Sequence, residues 1–362
     1  MTPADRRAAL AALLAARDLD AMLVSDLANV RYLSGFTGSN AALLVYADHR
    51  DAVLATDGRY RVQAANQSPD TELLIERACG PALAARAGAN GIGRLGFEAH
   101  VLTVDAFDAL RRDGVVEFIR ASGLVEALRE VKDEGEIALI GAACDAADAA
   151  LAELIETGGL RPGQTETQVR NDLEALMLRH GADGPSFETI VAAGPNSAIP
   201  HHRPTDAVLA GGDFVKIDFG ARVGGYHSDM TRTLVLGAAE DWQREIYQLV
   251  AEAQRAGRHA LAEGASLCGV DAAARELIAA AGYGEAFSHG LGHGVGLAIH
   301  EAPGINAAAA GTLLAGSVVT VEPGVYLPDR GGVRIEDTLV VSGGNARPEL
   351  LTRFPKELIT LN

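Results

Sequence analysis

At 362 residues the chain is long enough for two domains, each with an apolar core of its own. Its 31 lysines and arginines face 48 aspartates and glutamates, a net charge of −17 with no basic cluster to relieve it, which argues against nucleic acid as a partner. Cys79, Cys144 and Cys268 are odd in number and widely spaced, so neither a CxxC metal pair nor a disulfide framework is expected, and a cytoplasmic location fits.

Residues 1–23 are rich in alanine and leucine but broken by Asp5, Arg6, Arg7, Arg17 and Asp18, so neither a signal peptide nor a membrane span is expected. Short apolar runs at 21–24, 41–46 and 52–55 alternate with helical patches, an α/β pattern. A new helical stretch begins near Val125, and a domain boundary is expected there, giving domains 1–125 and 126–362. Beyond it the chain repeats itself in outline over 135–236 and 241–342: two helices, then glycine-punctuated strands. Helices are predicted over 136–156 and 165–180, the second capped by Thr165, then over 241–262, with a shorter one opened by Asp271.

Each half ends in a predicted β-hairpin that sets two acidic residues in otherwise apolar strands. Folding the first at Val223-Gly224-Gly225 brings Asp218 and Asp229 opposite or diagonal; folding the second at Asp329 pairs Glu322 with Glu336. Crowded, poorly solvated carboxylates are costly, and four converging from two hairpins favour a cation as the remedy. His289, His293 and His300 lie between the hairpins. Glycines at 290, 292, 294 and 296 argue for an extended, turning segment rather than a helical zinc pair. HExxH and GxGxxG are absent. His201 and His202 sit in a proline-rich loop after the strand at 190–193, a site of either catalysis or plain solvation.

Taken together, these residues resemble the pita-bread metallopeptidase family, in its Xaa-Pro aminopeptidase and Xaa-Pro dipeptidase (prolidase) branch. The residues Asn29 to Asn40 and Thr56 to Tyr60 resemble the creatinase/prolidase-type amino-terminal domain. The resemblance implies an α/β (α+β) fold: a pita-bread catalytic domain of two pseudo-symmetric halves behind that amino-terminal domain. It implies two divalent metal ions, manganese first and cobalt or zinc as alternatives, held by Asp218, Asp229, His293, Glu322 and Glu336. Asp229 and Glu336 would bridge the ions, and Glu336 would shuttle the proton of the attacking water. His201 would hydrogen-bond the tetrahedral intermediate, His300 would contact substrate near the scissile bond and His289 would line the proline pocket. Arg334 would hold a substrate carboxylate or orient a ligand, and His202 and His227 would be structural or supporting. The implied activity is hydrolysis of the Xaa-Pro bond at the amino end of peptides or dipeptides, by a homodimer with no nucleic-acid or membrane partner. The alternatives are a metal-free pita-bread binding module and a creatinase-like C–N hydrolase. Both are marked by loss of a ligand, and all five ligands are present here.

Overall fold

The computed structural model describes residues 1–112, 116–344 and 346–361, and divides into two compact units, Met1–Arg129 and Glu130–Asn362.

In the first unit, six short strands form one mixed sheet: β1 (Ala21–Val24), β2 (Ala41–Tyr46), β3 (Val53–Thr56), β4 (Glu72–Ile75), β5 (Arg94–Phe97) and β6 (Glu117–Arg120). Their order is β4-β3-β2-β1-β5-β6, with antiparallel β1–β2 and β2–β3 pairs and the remaining pairs parallel. β1, β2 and β3 are buried along their whole length, which is why they read as continuous apolar runs. Glu98 ties the turn after β1 to β5. Its buried carboxylate accepts from the backbone N–H of Ser25 and Asp26 and from the Asn29 side chain.

The second unit is built twice over. Helices Glu134–Glu156 and Glu166–Arg179 precede three antiparallel strands, Ile190–Ala193, Phe214–Phe219 and Met230–Leu236. Helices Asp241–Ala260 and Leu267–Ala280 then precede Gly292–Gly294, Val318–Val321 and Asp337–Val340, paired in the same order. Each helix pair shares a core mainly with its own three strands, while Phe214 and Val235 join the second core and Ile140 and Cys144 pack with Val318 and Val340, which knits the halves together. The pita-bread architecture of two matching halves is therefore present.

The helix starts follow local chemistry. Asp133 and Thr165 each accept from the N–H three residues on, while Glu136 and Gln168 reach back to complete a capping box. The last helix starts earlier than predicted: Ser266 is its cap and Asp271 lies inside it. The Asp271 carboxylate is buried and committed to Arg275 and to the N–H of Leu291. An aspartate that reads as a helix start is thus a tertiary anchor.

Both hairpins converge on the middle of the unit. In the first, Gly224 and Gly225 have φ of 54° and 80°, the left-handed pair that a tight two-residue turn requires. That turn pairs Val223 with Tyr226 and sets Asp218 opposite Thr231, so Asp218 and Asp229 are diagonal. In the second, Asp329 turns the chain at φ 61°. Gly324 pairs with Arg334 on one side of the acidic residues and Val321 with Asp337 on the other, so Glu322 faces Glu336 where the two ladders meet.

A buried ion cluster anchors this second hairpin. Asp337 accepts from Arg232, Gln254 and Thr352 and pairs with Lys356 at 2.9 Å, and Arg232 also donates to the carbonyls of Glu336, Phe354 and Pro355. Breaking such a pair leaves an uncompensated buried charge. Arg232→Met is expected to cost about 3 kcal/mol or more in urea unfolding, and an unchanged midpoint would show the cluster to be energetically idle.

Candidate active site

A cavity of about 680 Å³ opens in the second unit, and all nine site residues singled out in the sequence line it: His201, Asp218, Asp229, His289, His293, His300, Glu322, Arg334 and Glu336. Ile190, Ile299 and Phe187 add apolar wall. Among the described residues no helix is long and apolar enough to cross a membrane.

The acidic residues are drawn together by their hairpins. Asp229, His293 and Glu336 each offer a ligand atom within 4.8 Å of the others. His293 Nε2 lies 3.5 Å from Asp229 Oδ2 and 3.6 Å from Glu322 Oε1, too far to be good hydrogen bonds but close to the spacing of atoms sharing one ion. The other ring nitrogen, Nδ1, is 3.1 Å from the carbonyl of Gly294, to which it donates; this leaves the Nε2 lone pair aimed at the carboxylates. Asp218 is turned toward Arg334, whose guanidinium pairs with its Oδ2.

Three of these carboxylates carry a buried oxygen with no hydrogen-bond partner: Asp218 Oδ1, Asp229 Oδ1 and Glu336 Oε1. Orphaned acceptors are rare in folded proteins, and three in one cavity mark a place where something other than the chain completes them. The electrostatics agree. Burial, then the charges of Glu336 and Asp218, hold the Asp229 carboxyl well above the usual carboxylate range. Burial and Glu336 do the same to Glu322, while burial and Asp218, offset by Arg334, push Glu336 up to about 7. Four oxygen-donor residues and one imidazole suit divalent cations, which relieve this crowding. The residues present fit a metal centre.

Two of the imidazoles around it are held toward the neutral form. Burial, then the nearby Arg334, pushes His289 down to about 4, and burial with His293 and His201 nearby lowers His300. His289 spends its ring nitrogens on the Gly290 carbonyl and the Tyr326 hydroxyl, both at 2.8 Å, so it stands as a fixed wall of the cavity. His227 instead turns to Ser186, with Nδ1 2.8 Å from its hydroxyl.

Several residues that the sequence did not single out fix these groups. Thr231 donates its hydroxyl to Glu336 Oε2 at 2.7 Å and accepts from Arg334 Nε at 2.9 Å. Arg334 is only 3% exposed and also reaches Tyr326 and the carbonyl of Pro200, so its donors are committed within the protein. Tyr326 joins Arg334 to His289, 2.8 Å from its Nε2. Lys132 forms a buried pair with Glu301 at 2.6 Å, next to His300. The alternation of a strand could have flagged Thr231 as sharing a face with Asp229, since the two are two residues apart. Nothing local marks Tyr326 or Lys132, whose partners are 37 and 169 positions distant.

Buried carboxylates with unpartnered oxygens, an imidazole placed to share an ion with them and further histidines around a substrate-sized cavity define a metal-assisted hydrolase. The chain belongs to metallopeptidase family M24, which matches residues 138–343, and the creatinase/prolidase N-terminal domain matches residues 6–131. An Xaa-Pro dipeptidase of Pyrococcus horikoshii is 34% identical over 351 residues, spanning 94% of this chain and 95% of that one. The solved structure of an Xaa-Pro dipeptidase from Bacillus anthracis is similar at a TM-score of 0.94 and 39% identity, covering 99% of this chain and 100% of that one. That of an X-Pro aminopeptidase from Thermotoga maritima gives 0.88 and 35%, covering 96% and 98%.

Proposed function

We propose that this chain is a two-metal peptidase that cleaves the bond preceding proline at the free amino end of short peptides. The observation that carries the reading is the cavity in which two hairpins bury carboxylates with unpartnered oxygens beside five histidines. Asp229 and Glu336 would bridge two divalent ions, Asp218 would complete one, and His293 with Glu322 the other. When bound, such ions polarise the scissile carbonyl and make water a competent nucleophile near neutral pH. The Thr231 hydroxyl on Oε2 holds the Glu336 carboxylate in place, and that carboxylate would take and return the proton of the attacking water. His201 and His300 donate N–H groups to the oxygen that gains charge.

Proline selection follows from the same wall. A bond to proline nitrogen is a tertiary amide without an N–H, so recognition by strand pairing fails and the ring itself must be gripped. His289, held by Tyr326, and the apolar side chains of the cavity supply that grip. Arg334 is read as the group that orients Asp218, since its donors already have partners. Manganese is the expected metal, with cobalt or zinc as substitutes. A cytoplasmic homodimer is the expected form, by likeness to the family.

Chelated protein is expected to lose cleavage of Ala-Pro and Ala-Pro-Ala, and added manganese to restore it, read by release of alanine. Restored cleavage of Ala-Pro alone would assign a dipeptidase and of both an aminopeptidase. Cleavage of Ala-Ala with Ala-Pro untouched would overturn the proline reading.

A further inference from the structure

His201 and His202 are neighbours in sequence and both line the cavity, but only the second is held. His201 is exposed, whereas His202 is 8% exposed and places Nε2 2.8 Å from Glu166 Oε2. Glu166 is the first residue of its helix, wholly buried, and does not line the cavity. Its two oxygens divide the loop between them. Oε1 accepts from the N–H of Ala193 at 2.9 Å and from Asn196 Nδ2 at 3.0 Å, where the loop begins. Oε2 accepts from His202 and from the N–H and hydroxyl of Thr205, at 3.0 and 2.8 Å, where it ends.

The crest of the loop is held from the other side. Lys216, wholly buried, donates Nζ to the carbonyl of Ile199 at 2.6 Å, and Arg334 donates to that of Pro200 at 3.2 Å. The peptide just before His201 is therefore pinned, and the residue just after it is held on Glu166. Burial alone would raise the Glu166 carboxyl, but the bonds from Ala193, Asn196, His202 and Thr205 outweigh it and hold it below its ordinary value. The clamp is thus an anion with five donors, a strongly directional arrangement.

We infer that Glu166 is a positioning residue: by gathering both ends of the 193–205 segment on one carboxylate, it sets where the His201 imidazole stands over the reacting carbonyl. The inference rests on the role proposed above for His201. Glu166→Gln preserves shape and loses the charge and part of the acceptor capacity, so the loop slackens. A catalytic group misplaced by a fraction of an ångström lowers turnover by roughly 10- to 100-fold.

The test is a cycle of Glu166→Gln, His201→Ala and the double variant in the metal-loaded enzyme, on Ala-Pro. Glu166→Gln is expected to lower kcat by roughly 10- to 100-fold with KM within about threefold of wild type. Metal content should stay at the wild-type value, and adding Glu166→Gln to His201→Ala should cost nothing more. An unchanged kcat, or losses that multiply in the double variant, would overturn the positioning role. If Glu166→Gln does not fold, His202→Ala and His202→Gln replace it. The alanine should lower kcat, and the glutamine, whose amide can donate to Glu166, should restore it; failure of either overturns the inference. A wild-type enzyme that hydrolyses another peptide but not Ala-Pro would refute the proline reading only, and the cycle is then run on that peptide.

Discussion

Asp229→Ala and Glu336→Ala are each expected to abolish peptide hydrolysis while leaving a folded protein. Both residues are buried, and each carries an unpartnered oxygen that the fold does not use. In the proposed two-metal centre removing either would take away a ligand shared by both ions, so the expected loss is about 4 kcal/mol or more of transition-state stabilisation, roughly a thousandfold in kcat. Stability should move the other way. With metal chelated, the wild type holds three carboxyls whose burial and mutual repulsion oppose ionisation. Deleting one relieves that cost, so the variants should melt no earlier than metal-free wild type. Manganese should then raise the melting temperature of the wild type, by about 2.7 kcal/mol of added stability at a hundredfold excess over its dissociation constant, and should not raise that of the variants. A variant with wild-type turnover, or with a wild-type metal response, would remove its residue from the centre.

The second large effect is expected at His201. Its side chain faces the cavity from a pinned loop, free of the Glu166 partner that holds its neighbour. Removing one preorganised donor to a developing oxyanion costs about 3 kcal/mol, so His201→Ala should lower kcat by roughly a hundredfold or more with metal content intact. KM should change much less, since the hydrogen bond strengthens as charge develops. A loss confined to KM would make His201 a substrate-binding residue instead.

The parts legible in the sequence are those with short-range causes. A hairpin is symmetric about its turn, so locating the turn locates the pairs; placing the first at the two glycines puts Asp218 and Asp229 diagonally, and placing the second at Asp329 sets Glu322 against Glu336. Four glycines among the histidines made a helix too costly there, and residues 292–294 form a strand. Of the helix starts, Thr165 showed as a cap while Asp271 imitated one, and the remaining helices showed through their apolar spacing and the glycine breaks between them. Illegible were the groups whose meaning comes from distant partners. Lys216 lies in a strand buried on both faces, so alternation gives no hint that its amine ends on two loop carbonyls. Glu166 resembles any acidic residue in the first turn of a helix, where the helix dipole alone explains it. Its five bonds reach residues 27 to 39 positions away, and only the folded chain reveals them.

The most direct measurement is anomalous diffraction from crystals of the protein loaded with manganese. Two anomalous peaks should lie in the cavity, both touching Asp229 and Glu336, with Asp218 on one and His293 and Glu322 on the other. An absence of peaks there at saturating manganese, or peaks only on surface carboxylates, would contradict the two-metal account.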